Sequence, residues 1–196
     1  MLDDTTRDAI LTVRDEAAGR GIVATLALHR ERSHLMRLGN NSVSLNTSED
    51  LTRLDVMVTH GRIQASHTQL GHIAGPQEVR AALEVAEAKS RVAMPKDYDP
   101  IPDVVETAVA QDSQRDAAVA DLDPAVKANG YRQLMGSVGT GYNYSGAWTS
   151  GLTERYVVTT ANRNEAWRTG TDQHFTCVLK HPEQRWELRA VDTGWQ

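Results

Sequence analysis

The hydrophobic pattern along the chain changes period several times. Ala9, Ile10, Val13 and Ala17 recur at helical spacing behind a possible cap at Asp4 or Thr5, with Asp8 near the positive end of the helix. Gly19 and Gly21 stop it, so the pattern predicts a helix over about 5–18. From Ile22 the period is two. Ile22, Ala24, Leu26 and Leu28 share one face of a strand, Ser33–Leu38 reads as a return strand, and Gly39-Asn40-Asn41 marks a turn. Leu54, Val56 and Val58 alternate with Asp55, Met57 and Thr59 in another strand. His60-Gly61 turns it into a further strand at Arg62–Ser66.

Gly75-Pro76-Gln77-Glu78 opens the clearest helix, because proline suits a first helical position whose N–H has no partner anyway. Its stripe is Val79, Ala82, Leu83, Ala86 and then Val92 or Ala93, and Pro95 ends it. Pro95, Pro100 and Pro102 punctuate a linker. Between Asp97 and Asp123 the acids Asp97, Asp99, Asp103, Glu106, Asp112, Asp116, Asp121 and Asp123 face Arg115 alone. This run reads as a solvated connector or exposed helix face, the alternative being a docking surface for a basic partner. Asp123-Pro124 caps a helix that runs to about Gly136. After Gly139 and Gly141 the period is again two, predicting five strands at Tyr142–Thr149, Thr153–Thr160, Glu165–Thr171, Gln173–Lys180 and Trp186–Val191.

The expected fold class is therefore α+β: an antiparallel hairpin sheet packed by helices, followed by a second antiparallel meander sheet. The expected organisation is an α+β subdomain over 1–95, an acidic linker and helix over 96–140, and an antiparallel β subdomain over 141–196. Aromatic placement supports two cores. None of the ten Phe, Trp and Tyr residues precedes Tyr98, while Trp148, Trp167, Trp186 and Trp195 crowd the end. That many tryptophans in the last segment predicts exposed apolar area and self-association.

Composition narrows the function classes. A chain of 196 residues can bury a real core. No apolar run approaches the roughly 20 residues of a membrane span, and the polar start MLDDTTRDAI does not resemble a secretory signal. Net charge is −5, with no basic stripe of the kind a nucleic-acid surface shows. The single cysteine, Cys177, excludes an internal disulfide and any Cys-rich zinc module. The expected location is cytoplasmic.

Candidate chemistry is sparse. His29–His34 and His67–His72 each hold two histidines with four residues between them. On a helix that separation turns the two side chains roughly 140° apart, a poor geometry for one metal. Both pairs instead fall on strand ends and turns, and no carboxylate adjoins His67. The remaining histidines, His60, His174 and His181, are scattered likewise, so all seven read as surface or turn residues. Gly136-Ser137-Val138-Gly139-Thr140-Gly141 carries glycines in the wrong order for a phosphate loop. It also lies between a helix and a strand, the reverse of the polarity that aims a helix N-terminus at phosphate. Cys177 reads as a small core residue. No nucleophile elbow, Walker sequence or H-E-x-x-H helix is present.

In order, the pieces resemble the N-terminal region of the TldD/PmbA family of metallopeptidases. The resemblance is carried by Arg37-Leu38-Gly39-Asn40-Asn41, the strand Leu54–Val58, Gly61-Arg62-Ile63-Gln64-Ala65-Ser66, and His67-Thr68-Gln69-Leu70 before the Ala-rich helix Ala81–Ala93. Further along it rests on Pro95-Lys96-Asp97, on Ser145-Gly146 through Ser150-Gly151-Leu152-Thr153-Glu154-Arg155, and on Ala161-Asn162. Residues 65–70 and 173–178 lean toward the PmbA-like, motif-lacking branch. The resemblance implies a noncatalytic N-terminal portion of a peptidase subunit that contributes to dimer assembly and peptide enclosure. Its implied partners are a second copy or a TldD/PmbA-type subunit and an extended peptide, with no nucleic acid and no membrane. The family's H-E-x-x-x-H helix is not in this sequence. No catalytic, cofactor-binding or metal residue is therefore assigned, zinc is expected only in a full-length active member, and the chain alone is expected to be inactive. Two other readings stand beside this one: a free-standing binding or scaffold protein derived from the family, and an independent metal-dependent hydrolase using its own histidines.

Overall fold

A computed structural model describes residues 3–100, 111–139 and 141–195. The elements run α1 (Asp4–Gly19), β1 (Val23–Gly39), β2 (Ser42–His60), β3 (Ile63–Leu70), α2 (Pro76–Ser90), β4 (Gln111–Gln114), α3 (Ala117–Ala120), α4 (Pro124–Val138), β5 (Asn143–Thr159), β6 (Glu165–Lys180) and β7 (Glu187–Trp195). The fold is α+β with antiparallel strands, as the patterning predicts. Hydrogen bonding follows the order β3-β2-β1-β5-β6-β4, and β7 also pairs with β6. The strands after residue 140 thus join the path of the earlier strands through β1 and β5, instead of forming a second sheet.

Three expected breaks are absent. β1 continues through Arg30–Ser33, a polar stretch with no glycine or proline to bend it, so Ser33–Leu38 is its second half and not a return strand. β5 runs through Ser150-Gly151-Leu152 and β6 through Gly170–Asp172, giving three long strands where five short ones were expected. Gly151 is there for closeness: a Cβ on it would lie 2.9 Å from the Arg32 carbonyl oxygen and 3.1 Å from the Ser33 Cβ. Glycine inside a strand marks such an approach as readily as a turn. α2 also stops earlier than its stripe implied, at Ser90, leaving Val92 and Met94 exposed.

Contacts cluster into two compact units. One comprises Met1–Arg30, Leu51–Ser113 and Glu154–Thr169; the other comprises Glu31–Asp50, Gln114–Thr153 and Gly170–Gln196.

In the first unit, Asp3 caps α1 by accepting the Thr6 N–H at 2.8 Å, and Arg20 and Gly21 (φ +71°) close it. The face of Ala9, Ile10, Val13 and Ala17 is buried against Leu26 and Leu28 of β1, Leu54, Val56 and Val58 of β2, and Val79, Ala82, Leu83 and Ala86 of α2. At about 1.5–3 kcal/mol for each fully buried large aliphatic side chain, this face is what holds α1 in place. The core is not purely aliphatic, since Tyr156 and Val158 of β5 join it and Trp167 of β6 packs against it. β2 and β3 pair from Arg53↔Leu70 to His60↔Ile63, which leaves Gly61-Arg62 as a two-residue turn with Gly61 at φ +56°. Pro76 sits at the start of α2, where Glu78 accepts the Gly75 N–H at 3.0 Å.

In the second unit, Asn40 and Asn41 (φ +48° and +65°) turn β1 into β2 with the two left-handed residues that suit a twisted hairpin. Asn41 accepts the Tyr144 N–H through its side chain at 2.7 Å. Asp123 caps α4, accepting the Ala125 N–H at 2.7 Å. The core here is aromatic and sulfur-rich: Met36, Leu38, Tyr131, Tyr144, Cys177 and Leu179 are buried, with Trp148, Phe175, Leu134 and Met135 packed against them.

Candidate functional site

The histidines do not assemble. His29 and His34 both lie in β1, so the bend expected between them is missing, and His34 Nδ1 is 2.8 Å from the Ser48 hydroxyl. His67 pairs opposite Val56 in the β3 ladder, whereas His72 is exposed beyond the strand. His174 sits opposite Thr193 in β6, and His181 accepts the Glu183 and Gln184 N–H groups on Nδ1 while its ring meets Tyr142 and Trp186. His60 is exposed at the end of β2. Zinc needs three or four converging donors. Among the described residues, no three His, Cys, Asp or Glu side chains converge in that way, so the donor set does not fit a zinc site.

The glycine segment and the cysteine lie where their sequence context places them. Gly136 is inside α4, and Gly139, at φ +103°, follows the end of that helix. Cys177 is buried in β6, and burial pushes its thiol above the ordinary value, away from the thiolate that would make it a nucleophile.

What sequence reasoning missed is Lys127, which is only 1% exposed. Its Nζ donates to the His34 carbonyl at 2.9 Å and the Trp148 carbonyl at 3.4 Å, and burial brings its pKa down to about 8. Four residues on, Tyr131 is buried as well. Burial and, secondarily, Cys177 push its phenol up to about 12, and its hydroxyl has no hydrogen-bond partner among the described residues. A signal for both was present. The cap at Asp123 fixes the register of α4, and positions 127, 131 and 134 follow at helical spacing, which places a lysine on the buried stripe.

A second polar cluster, partly exposed, surrounds the buried Tyr156 of the first unit. Tyr156 donates to Glu165 Oε1 at 3.0 Å, and Arg7 pairs with the same carboxylate. Burial, helped by Glu165, raises the Tyr156 phenol far above its ordinary value, so this group is a structural donor at any ordinary pH.

Two clefts remain. The first unit carries one of about 500 Å³ lined by Ile22, Val23, Val58, Ile63, His60 and Arg91, beside the Arg20–Glu87 ion pair. The second unit carries one of about 270 Å³ lined by Gly130, Leu134, Trp148, Gln173, Phe175, Asp192 and Gly194. Around it, Trp148 and Phe175 stand with ring centroids 5.4 Å apart at 77°, and Tyr131 backs both rings at 6.2 and 5.6 Å. Trp186, Leu188 and Val191 are exposed on or next to β7, while Trp148 and Trp167 are half-buried.

No protein-family model matches the chain, and no curated protein matches its sequence. Solved structures do match its shape. TldE from Thermococcus kodakarensis superposes with a TM-score of 0.70 and 11% identity over 94% of this chain and 42% of its own. A protein from Bacteroides thetaiotaomicron named as a modulator of DNA gyrase gives 0.73 and 11% over 100% of this chain and 46% of its own. Another so named, from Thermotoga maritima, gives 0.64 and 11%, over 96% and 42%. At this identity the likeness shows a shared fold. The chain spans less than half the length of each of these proteins.

Proposed function

We propose that the chain is a noncatalytic N-terminal portion of a TldD/PmbA-type metallopeptidase subunit, contributing to dimer assembly and to the enclosure of an extended peptide. The observation that supports it is the shared fold: nearly all of this chain follows part of three structures from that setting, TM-scores 0.64–0.73. The order of the motifs from Arg37-Leu38-Gly39-Asn40-Asn41 to Ala161-Asn162 supports the same reading independently of shape. Residues 65–70 and 173–178 favour the PmbA-like branch within it. The reading assigns no step of peptide cleavage to this chain, which is supported by the lack of three converging metal-ligating side chains among the described residues and by the burial of its one cysteine as a thiol.

The test is co-expression with a TldD/PmbA-type partner subunit, followed by mass measurement of the complex and anisotropy of a fluorescent unfolded peptide. A stable complex that retains peptide, with no cleavage by this chain alone in added zinc, is expected. A chain that neither self-associates nor binds the partner overturns the assembly role. Stoichiometric zinc with chelator-sensitive cleavage by the isolated chain overturns the reading in favour of an independent hydrolase.

A further inference from the structure

The cleft of the second unit is built from three neighbouring strands and one helix. Trp148 comes from β5, Phe175 from β6 and Asp192 from β7, and the β6–β7 register sets Phe175 directly opposite Asp192 and Gln173 opposite Gly194. Gly130 and Leu134 of α4 close the other side. The two glycines make room. A Cβ on Gly130 would lie 2.8 Å from Trp148 Cζ3, and one on Gly194 would lie 3.2 Å from the Gln173 amide nitrogen. A volume of about 270 Å³ falls below the ~300–1,000 Å³ of sites for whole cofactors and drug-sized ligands, and suits a single side chain.

The chemistry of the lining selects which side chain. The π faces of the two aromatic rings carry the negative potential that attracts a cation, an attraction that strengthens as water is excluded. Asp192 is the one charged residue among the described residues that line the cleft, and it is exposed and without an ion pair among them. Lys127 of α4 is engaged by the carbonyls of His34 and Trp148, and the charge within the cleft lining is that of Asp192. An acidic ligand would meet a carboxylate, and a purely apolar one would leave Asp192 and Gln173 without a role.

We propose that this cleft receives the cationic side chain, lysine or arginine, of an extended peptide, with Trp148 and Phe175 stacking on its stem and head and Asp192 pairing with its charge. The assignment rests on the peptide-enclosing role proposed above for its choice of ligand, and on the cleft alone for its chemistry.

The experiment titrates the full chain with N-acetyl, N-methylamide derivatives of lysine, arginine, norleucine and glutamate. Binding is followed at the Trp148 indole N–H by NMR, with that signal assigned from its loss in Trp148→Phe. Lysine and arginine derivatives are expected to shift it saturably, norleucine and glutamate to leave it in place. Asp192→Asn is expected to weaken the cationic ligands at least about fivefold, and Asp192→Lys to abolish binding. Both changes are at an exposed position, and an unaltered NMR spectrum elsewhere verifies the fold. Equal shifts from norleucine identify an apolar side-chain pocket and overturn the proposal. So does an absence of shifts at 10-millimolar-scale ligand, or binding insensitive to Asp192→Asn. If the cationic derivatives fail while the partner complex still retains peptide, this subsite is wrong and the enclosing role stands; the opposite pair of results leaves the subsite and removes the role.

Discussion

Lys127 offers a direct test of the physical account of the second unit. Its amine is buried with two carbonyl acceptors, and burial alone lowers its pKa from the ordinary 10.5 to about 8. At about 1.36 kcal/mol for each pH unit, holding the charged form inside costs the fold about 3 kcal/mol at neutral pH. The sign follows from linkage. Between about pH 8 and 10.5 the unfolded chain keeps the proton that the folded chain has lost, so stability must rise with pH over that interval. Below about 8 both states are protonated and the contribution is flat. Cys177 and Tyr131 act oppositely: burial raises both, so each withdraws stability once pH exceeds its unfolded value, 9.0 and 10.0 respectively. The clean window is therefore pH 7 to 9, where the Lys127 equilibrium alone yields a gain on the order of 1 kcal/mol. The perturbation is Lys127→Met, which removes the titrating group and keeps most of its length. The assay is urea unfolding at pH 7, 8 and 9. With m of about 2–3 kcal/mol per molar, the wild-type midpoint should climb by about 0.5 M across the window relative to the variant. The absolute stability of Lys127→Met is not the readout, because relief from the buried charge is offset by two carbonyls that lose a donor. A wild-type midpoint that runs parallel to the variant's, or falls relative to it, refutes the claim that Lys127 is buried without a countercharge.

Other expectations follow from single contacts. Ile10→Ala, at a position with no exposure in the first core, should cost about 2–5 kcal/mol in chemical denaturation. Gly146→Ala would place a Cβ 2.1 Å from the Thr176 carbonyl oxygen, a backbone atom that cannot yield; soluble expression should fall sharply, and a melting temperature equal to wild type would contradict the close β5–β6 approach. Gly130→Ala drives a Cβ into the Trp148 ring and should lose about 1–3 kcal/mol with a changed near-ultraviolet tryptophan signal. Asp3→Ala removes the α1 cap at a cost of about 1 kcal/mol. Burial pushes the Asp3 carboxyl up, but the Thr6 donors and Arg30 together hold it below its ordinary 3.8. Its contribution should accordingly be present above pH 4 and be lost as acid titrates it, and a wild-type minus variant difference that persists unchanged to pH 2 would rule that out.

How far the sequence could be read depended on whether a signal was local. Periodicity and caps are local, and they located every long helix to within a few residues: Asp123-Pro124 starts α4, Gly75-Pro76 starts α2, and the Ala9–Ala17 stripe is the buried face of α1. Strand continuity is not local. Gly151 and Asp172 are indistinguishable from turn residues until it is known that Gly151 lies against Arg32 and Ser33, more than a hundred positions away. The same holds for the Arg30–Ser33 polar run, which interrupts the apolar alternation and resembles a turn although β1 continues through it.

Site chemistry divides along the same line. The histidine pairs were conspicuous because their spacing repeats, yet spacing of five suits neither a helix face nor one face of a strand; the fold sets His34 beside Ser48, and His67 in the β3 ladder with His72 exposed beyond it. The groups that the fold does bring together carry no mutual sequence spacing at all. Trp148, Phe175 and Asp192 are separated by 27 and 17 positions, and the separations only acquire meaning once β5, β6 and β7 lie side by side. The crowding of aromatics after Tyr98 was a compositional sign of that cluster, since large rings concentrated in one stretch must stack on each other or face solvent. In the second unit they do both: Tyr131, Trp148 and Phe175 form the packed group behind the cleft, while Trp186, Leu188 and Val191 stay exposed. A core of this kind, with a lysine amine buried behind its rings and a carboxylate at its mouth, has a chemical polarity that the aliphatic first core lacks. In the proposal made above, recognition uses a polar group desolvated next to a π-face in the second unit, whereas the first unit sets its own polar group, Tyr156 with Glu165 and Arg7, against a largely aliphatic core.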